Sequence, residues 1–243
     1  MFAITGFYHR YFSHRAFKTS RVFQGVMAVV GASAAQRGPL WWAAHHRGHH
    51  RHSDQPEDLH SPRQHGLLWS HMGWFMTRES FATRIDRVRD FAGFPELRFL
   101  DRFDMVAPAI LAGLLYAFGS LLAGVAPGAG TSGAQMLVWG LISTIVLYHA
   151  TYTINSLAHR FGTRRFDTRD TSRNNFWLAF LTLGEGWHNN HHHHPASARQ
   201  GFRWWEVDVA YYLLRILAWL GLVWDLKPVP DHLRRDQRGA VVR

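Results

Sequence analysis

Cysteine is absent from these 243 residues. Its absence excludes disulfides, thiolate metal sites, cysteine nucleophiles and iron–sulfur clusters. Lysine is nearly absent as well, with only Lys18 and Lys227. Acid is in short supply, since 17 Asp and Glu face 27 Lys and Arg. The net charge of +10 is therefore carried by arginine. A basic balance points to nucleic acid, an anionic membrane or an anionic substrate. Nucleic acid is set aside, because the arginines lie beside apolar runs and no binding motif accompanies them. No secretory leader is visible either, since "MFAITGFYHRYFSHR" turns polar after about eight residues. No repeat of fixed period is present.

What the chain has in excess is histidine, 18 in all, with 11 Trp and 17 Phe. It also has two long apolar runs. Residues 105–125 and 135–154 carry no charge, and each is long enough to cross a bilayer as a helix. Between them lies "APGAGTSGA", short and rich in turn formers, so the two runs read as a helical hairpin. Arginine crowds both flanks, which places the flanks in the cytoplasm and the short loop outside. Mean hydropathy is only −0.18, so most of the mass lies outside the bilayer. The shorter run at 22–35 predicts an interfacial or buried helix. The run 207–224 carries Asp208 and Arg215, and a mid-span arginine is costly in lipid. It reads as a helix in the interface or packed on the cytoplasmic domain. Residues 227–243 read as a frayed tail.

The histidines fall in clusters. "HRYFSH" holds His9 and His14, and "HHRGHH" holds His45, His46, His49 and His50. "NSLAH" holds Asn155 and His159, and "WHNNHHHHP" holds His188 and His191 to His194. His46, His49 and His50 stand at i, i+3, i+4, as do His188, His191 and His192. Asn155 and His159 stand at i, i+4. On a helix such spacings place side chains on one face, where two imidazoles a turn apart can hold one metal ion. His45 and His49 have the same i, i+4 spacing, so spacing alone does not exclude His45. His9 and His14 are about 140° apart on an ideal α-helix, which predicts a helix end or two different metals. His52, His60, His65, His71, His149 and His232 stand alone and read as surface or hydrogen-bonded residues.

Imidazole suits Zn, Cu, Fe and Ni. A single zinc ion takes about four ligands, so nine well-spaced histidines are enough for two ions. The acids that could stand behind the ligands, orienting them and offsetting charge, are Asp54, Asp58, Asp167, Asp170 and Glu185.

The pattern resembles the membrane fatty-acyl desaturases, and within them the acyl-CoA Δ9 (stearoyl-CoA) type. Three histidine boxes, H-x4-H and twice H-x2-H-H, stand in the family's order, with "HRYFSHRAF", "SHMGW", "NSLAHRFG" and "GEGWHNNHH" around them. The likeness runs from about residue 3 to 230. It implies an all-α fold: integral membrane helices with a cytoplasmic helical di-iron domain. It implies as iron ligands His9, His14, His46, His49, His50, His159, His188, His191 and His192, with Asn155 reaching an iron through water. It implies Gln36, Trp42 and Thr151 as walls of a kinked acyl tunnel, and Arg47 and Arg78 as basic positions near CoA. Two ferrous ions are the implied cofactors and O2 the co-substrate.

The implied reaction removes two hydrogens from adjacent methylenes and reduces O2 to water. It draws two electrons from an external donor of ferredoxin, rubredoxin or cytochrome b5 type. The partners are thus acyl-CoA, a membrane and that donor, with no nucleic acid. A related di-iron hydroxylase and a non-catalytic membrane metal-binding protein are the alternatives. Two positions depart from the family. His45 stands where the branch has Asp. Only eight residues precede His9, where the family has a further membrane hairpin, so two transmembrane helices are expected to be missing ahead of Met1.

Overall fold

The computed structural model describes residues 1–234. It is nearly all helix. The chain opens on an 11-residue π-helix, Ala3–Ser13. A short strand β1 (Lys18–Thr19) follows, then α1 (Arg21–Ala32) and α2 (Pro39–His52). Ser20 caps α1 by accepting from Phe23 N, and Pro39 starts α2 with its φ already helical. Short helices α3 (Pro62–His65), α4 (Arg89–Ala92) and α5 (Pro95–Arg102) lead to the two long ones, α6 (Val106–Val125) and α7 (Gly133–Ser156). After them come α8 (Phe176–Leu181), α9 (His188–His193), α10 (Val209–Trp219), strand β2 (Val223–Trp224) and α11 (Asp231–Arg234). β2 pairs antiparallel with β1, Lys18 opposite Trp224, and so ties the two ends of the fold together.

The two apolar runs are continuous helices joined by a turn at Pro127–Ala129. Both are long and apolar enough to cross a membrane. They pack through small residues. A side chain on Gly119 would strike Met136 and the Ser132 carbonyl, one on Gly133 would strike Tyr116, and one on Gly140 would strike Leu115. Close backbone approach of this kind is how helices associate where water does not drive them together. Their outer faces expose Leu114, Phe118, Leu121, Trp139 and Val146.

The main core lies beside this hairpin. Tyr8 and Phe12 of the π-helix, Met27 of α1, Leu40 of α2, Leu97 of α5 and Leu214 of α10 are all fully buried in it. The 22–35 and 207–224 runs each pack one face on this core. α1 leaves Val22, Val26, Val29 and Val30 exposed, and α10 leaves Tyr212, Ile216 and Trp219 exposed. The tail expectation needs correction over 227–234. Val229 and Leu233 are buried against Phe202 and Phe166, because this segment carries enough apolar surface to close that satellite cluster. The rest of the expected tail lies outside the described residues.

Candidate metal centre

The ligand set is built by four segments. α2 and α9 supply the two H-x2-H-H boxes, the π-helix supplies His9 and His14, and the turn Leu157–His159 after α7 supplies His159. The expected ligand nitrogens gather in two groups, beside which His49, Asp58 and His60 form a third cluster. One holds His9, His14, His46, His50 and His191, the other His49, His159, His188 and His192. All nine expected histidines are in these two groups.

The division follows helical geometry. His46 and His50, one turn apart on α2, serve the first group. His188 and His192, one turn apart on α9, serve the second. The third histidine of each box crosses over, His49 to the second group and His191 to the first. Residues at i+3 lie on the flank of the i, i+4 face, so two facing helices can each feed two sites.

His9 and His14 depart from expectation. They share one group, with ring centroids 4.9 Å apart. The π-helix is the reason. Its wider turn closes i→i−5 hydrogen bonds, and His14 N donates to His9 O at 3.2 Å. Five residues then make about one turn, so the H-x4-H box is a one-turn pair in this backbone.

Do these residues fit two metal ions? Nε2 atoms face one another at 3.0 Å for His9 and His191, 2.8 Å for His14 and His46, 2.9 Å for His191 and His50, and 3.1 Å for His188 and His159. Two ligands about 2.1 Å from one ion and at right angles stand about 3.0 Å apart. His192 Nε2 is buried with no hydrogen-bond partner, while its Nδ1 donates to Asp170 at 2.6 Å. Its lone pair is thus aimed into the group and satisfied by nothing in the protein. Burial, with repulsion from neighbouring histidines, holds His14, His46, His50, His188 and His191 well below the usual imidazole pKa. Burial likewise lowers His192 to about 4, against the pull of Asp170. Neutral imidazoles are what a metal needs. The set fits.

Acids stand behind the ligands. His49 Nδ1 donates to Asp58 at 3.0 Å, and although burial alone would lower the His49 pKa, the charge of Asp58 raises it. Glu185 pairs with His9 and with Arg10, which is fully buried and also bound to Asp208. Asp54 accepts from Thr171 at 2.6 Å and lies 3.8 Å from His159 Nδ1. Asp54, Asp58, Asp170 and Glu185 stay below their ordinary pKa. Burial would raise them, but the partner histidines outweigh it. Asp167 has no such role: it is exposed beside Arg164. Sequence reasoning missed Gln200, 3.3 Å from His9 Nδ1, and Thr171. No motif flags either one. It also gave no role to Asn189 and Asn190, which bond to the 165–166 backbone and to Glu206 and so fix α9.

The third box is also held by glycines. Gly184 takes φ +123°, and a side chain on Gly186 would collide with the Ala179 and Asn175 backbone of α8. His45 turns away from both groups, its Nδ1 at 3.0 Å from Trp41 O. His193 stacks on Phe166, and His71 pairs with His149.

Beside the metal groups lies a cavity of about 170 Å³, lined by Gln36, Trp41, Trp42, Trp74, Tyr148, Thr151 and Asn155 and reaching His46. A smaller one of about 40 Å³ continues past Trp42 and Thr151 to Met1 and Ile4. At the junction Gln36 Nε2 donates to Thr151 Oγ1 at 3.1 Å, and Trp42 stacks on His46. Arg47 is a clamp. Its five N–H groups go to Ser13 O, Phe12 O, Arg87 O and both oxygens of Asp90, which leaves none for a phosphate. Arg78 is exposed.

Comparison with known proteins finds that residues 1–226 match the fatty acid desaturase family. The chain is 37% identical to an acyl-CoA 5-desaturase of Anemone leveillei, over 97% of this chain and 70% of that one. It is 37% identical to an sn-1 stearoyl-lipid 9-desaturase of Anabaena variabilis, over 92% and 78%. A hex-5-enoyl-[acyl-carrier protein] acetylenase of Moorena producens is 38% identical, over 90% and 70%.

Proposed function

We propose that this chain, which belongs to the fatty acid desaturase family, desaturates a long-chain fatty acyl thioester, with acyl-CoA as the substrate and Δ9 as the position. The observation that carries this reading is the apolar cavity bordering two groups of converging histidines. Relatives acting on acyl-CoA, acyl-lipid and acyl-carrier protein support the reaction class.

Nine histidines would hold two irons, and Asn155, which lines both cavities, would reach one through water. Iron supplies the O2-dependent oxidation that no amino-acid side chain can perform. The chain's own residues do the rest. Asp58, Asp170 and Glu185 hold His49, His192 and His9 in one tautomer and orientation. Burial keeps His14, His46, His50, His188 and His191 neutral and keeps water out. Trp42, Gln36 and Thr151 bend the acyl chain at the junction of the two cavities, so that one carbon pair lies against the ligand groups. A wall of fixed shape does this at little entropic cost. Arg78 lies toward the head group. Two electrons from an external donor protein, two protons from solvent and the two hydrogens of the adjacent methylenes together reduce O2 to two waters. α6 and α7 cross the membrane, with the histidine boxes on the cytoplasmic face.

The test is expression in an iron-replete host with analysis of the fatty acid products. A Δ9 monoene made from acyl-CoA in an O2-dependent manner is expected. A hydroxylated product, or zinc in place of iron with no turnover, would overturn the reading. Trp42→Ala and Thr151→Ala are expected to keep iron but scatter the double-bond position. Unchanged regiochemistry in both variants would remove these residues from the bend.

A further inference from the structure

The two ligand groups differ in what stands behind them. In the four-histidine group, three ligands face an acid on the nitrogen turned away from the group. His49 Nδ1 donates to Asp58 and His192 Nδ1 to Asp170. His159 Nδ1 lies 3.3 Å from Thr171 Oγ1, which donates in turn to Asp54. In the five-histidine group only His9 has such a partner, Glu185. Among the described residues, no carboxylate lies within ion-pair distance of His14, His46, His50 or His191.

The cations differ in the opposite sense. Glu185 and Asp208 share the guanidinium of Arg10, which leaves one net negative charge behind the five-histidine group. Among the described residues, no Lys or Arg pairs with Asp54, Asp58 or Asp170. Each of these accepts from a backbone amide instead: Asp54 from Thr171 N at 2.6 Å, Asp58 from Asp54 N at 2.9 Å, Asp170 from Ser172 N at 3.0 Å. Neutral donors hold a carboxylate without cancelling its charge. Three negative charges therefore stand behind the four-histidine group. All are buried, where salt screens them little.

Charge so placed acts on a bound metal. A carboxylate on the far N–H makes an imidazole a stronger donor and offsets positive charge. Both effects favour the ferric over the ferrous ion. We propose that the two groups are unequal redox sites: the four-histidine group gives up its electron first, and Arg10, by cancelling Glu185, holds the five-histidine group ferrous. The proposal rests on the two-iron reading above and adds an order to it. Each step is a one-electron ferric/ferrous couple. Electrons returning from the donor protein fill the five-histidine group first. Arg10 touches no ligand nitrogen and acts through Glu185, so it is a positioning residue.

The experiment uses the full chain in detergent, loaded with Mössbauer-active iron, with the irons per chain counted first. Ferricyanide, reduced to ferrocyanide, takes the electrons one at a time in the absence of O2. Mössbauer spectra give the ferric fraction at each potential. Wild type is expected to show two midpoints separated by tenfold or more in the equilibrium, about 59 mV. Asp170→Asn and Asp58→Asn keep shape and lose charge. Each is expected to shift the lower midpoint about tenfold toward ferrous and to leave the upper one within about twofold. Glu185→Gln should raise the upper midpoint and spare the lower. Arg10→Gln should lower the upper midpoint and narrow the gap. A merely structural defect would cost iron without moving one midpoint alone, and any one variant that still loads both irons decides the order. A single midpoint in wild type would overturn the proposal while two bound irons keep the site. So would an upper midpoint that moves with Asp170 or Asp58, or midpoints that no variant moves. A chain that takes up no iron would sink the two-iron reading and the order with it.

Discussion

A single histidine position illustrates how narrow the ligand assignment is. His191 and His193 are neighbours but one, yet His191 Nε2 lies within 3.0 Å of His9 Nε2 while His193 stacks on Phe166. His46→Ala and His191→Ala are therefore expected to lose one iron and all turnover. His193→Ala should keep both, as metal analysis of the purified proteins would register. Equal iron loss from His193→Ala would mean that the third box is shifted in register. Behind the ligands, Asp170→Asn keeps the shape but loses the charge that His192 Nδ1 faces at 2.6 Å. A loss of about 10–100-fold in iron affinity is expected for removing such a partner.

The Arg47 clamp makes a pH prediction at the same scale. Burial would raise the Asp90 pKa, but hydrogen bonds and charge from Arg47 hold it below the ordinary value. A carboxylate with a depressed folded pKa stabilises the fold above its unfolded pKa, and that contribution fades as pH falls through the folded value. Asp90→Asn should thus cost about 0.5–1 kcal/mol at neutral pH, discounted for partial exposure. The gap between variant and wild type should close below about pH 4, as read from urea midpoints in detergent. A gap that widens in acid would contradict the clamp.

Among the elements, those with strong spacing signals were legible in advance. α6 and α7 appear where uncharged runs demanded them, and the two H-x2-H-H boxes are helical as i, i+3, i+4 spacing requires. The π-helix was not legible. "AITGFYHRYFS" carries no mark that separates a 4.4-residue turn from a 3.6-residue one, and only the meeting of His9 with His14 exposes the difference. Nor could spacing say that His49 and His191 cross between groups, because that depends on how α2 faces α9. Glycine is a further case. Gly186 reads as an ordinary turn residue in "GEGWH", whereas in the fold its missing side chain lets α9 approach α8. Gly186→Ala is expected to displace His188 and lower iron content even where the protein still folds. Wild-type loading in that variant would argue that the contact yields.

At the scale of the whole molecule, the site is closed by residues far apart in sequence. His9 meets His191 across 182 positions, Arg10 meets Asp208 across 198, and β1 pairs with β2. The centre is therefore a property of the complete fold and not of any one box. Because α2 and α9 each give ligands to both groups, filling one group orders both helices for the other. An ion entering second would find its ligands already arranged and its ordering entropy already spent. Ferrous ion added in half the saturating amount should then divide the molecules into empty and doubly filled, with few carrying a single iron, so that the centre assembles as one unit.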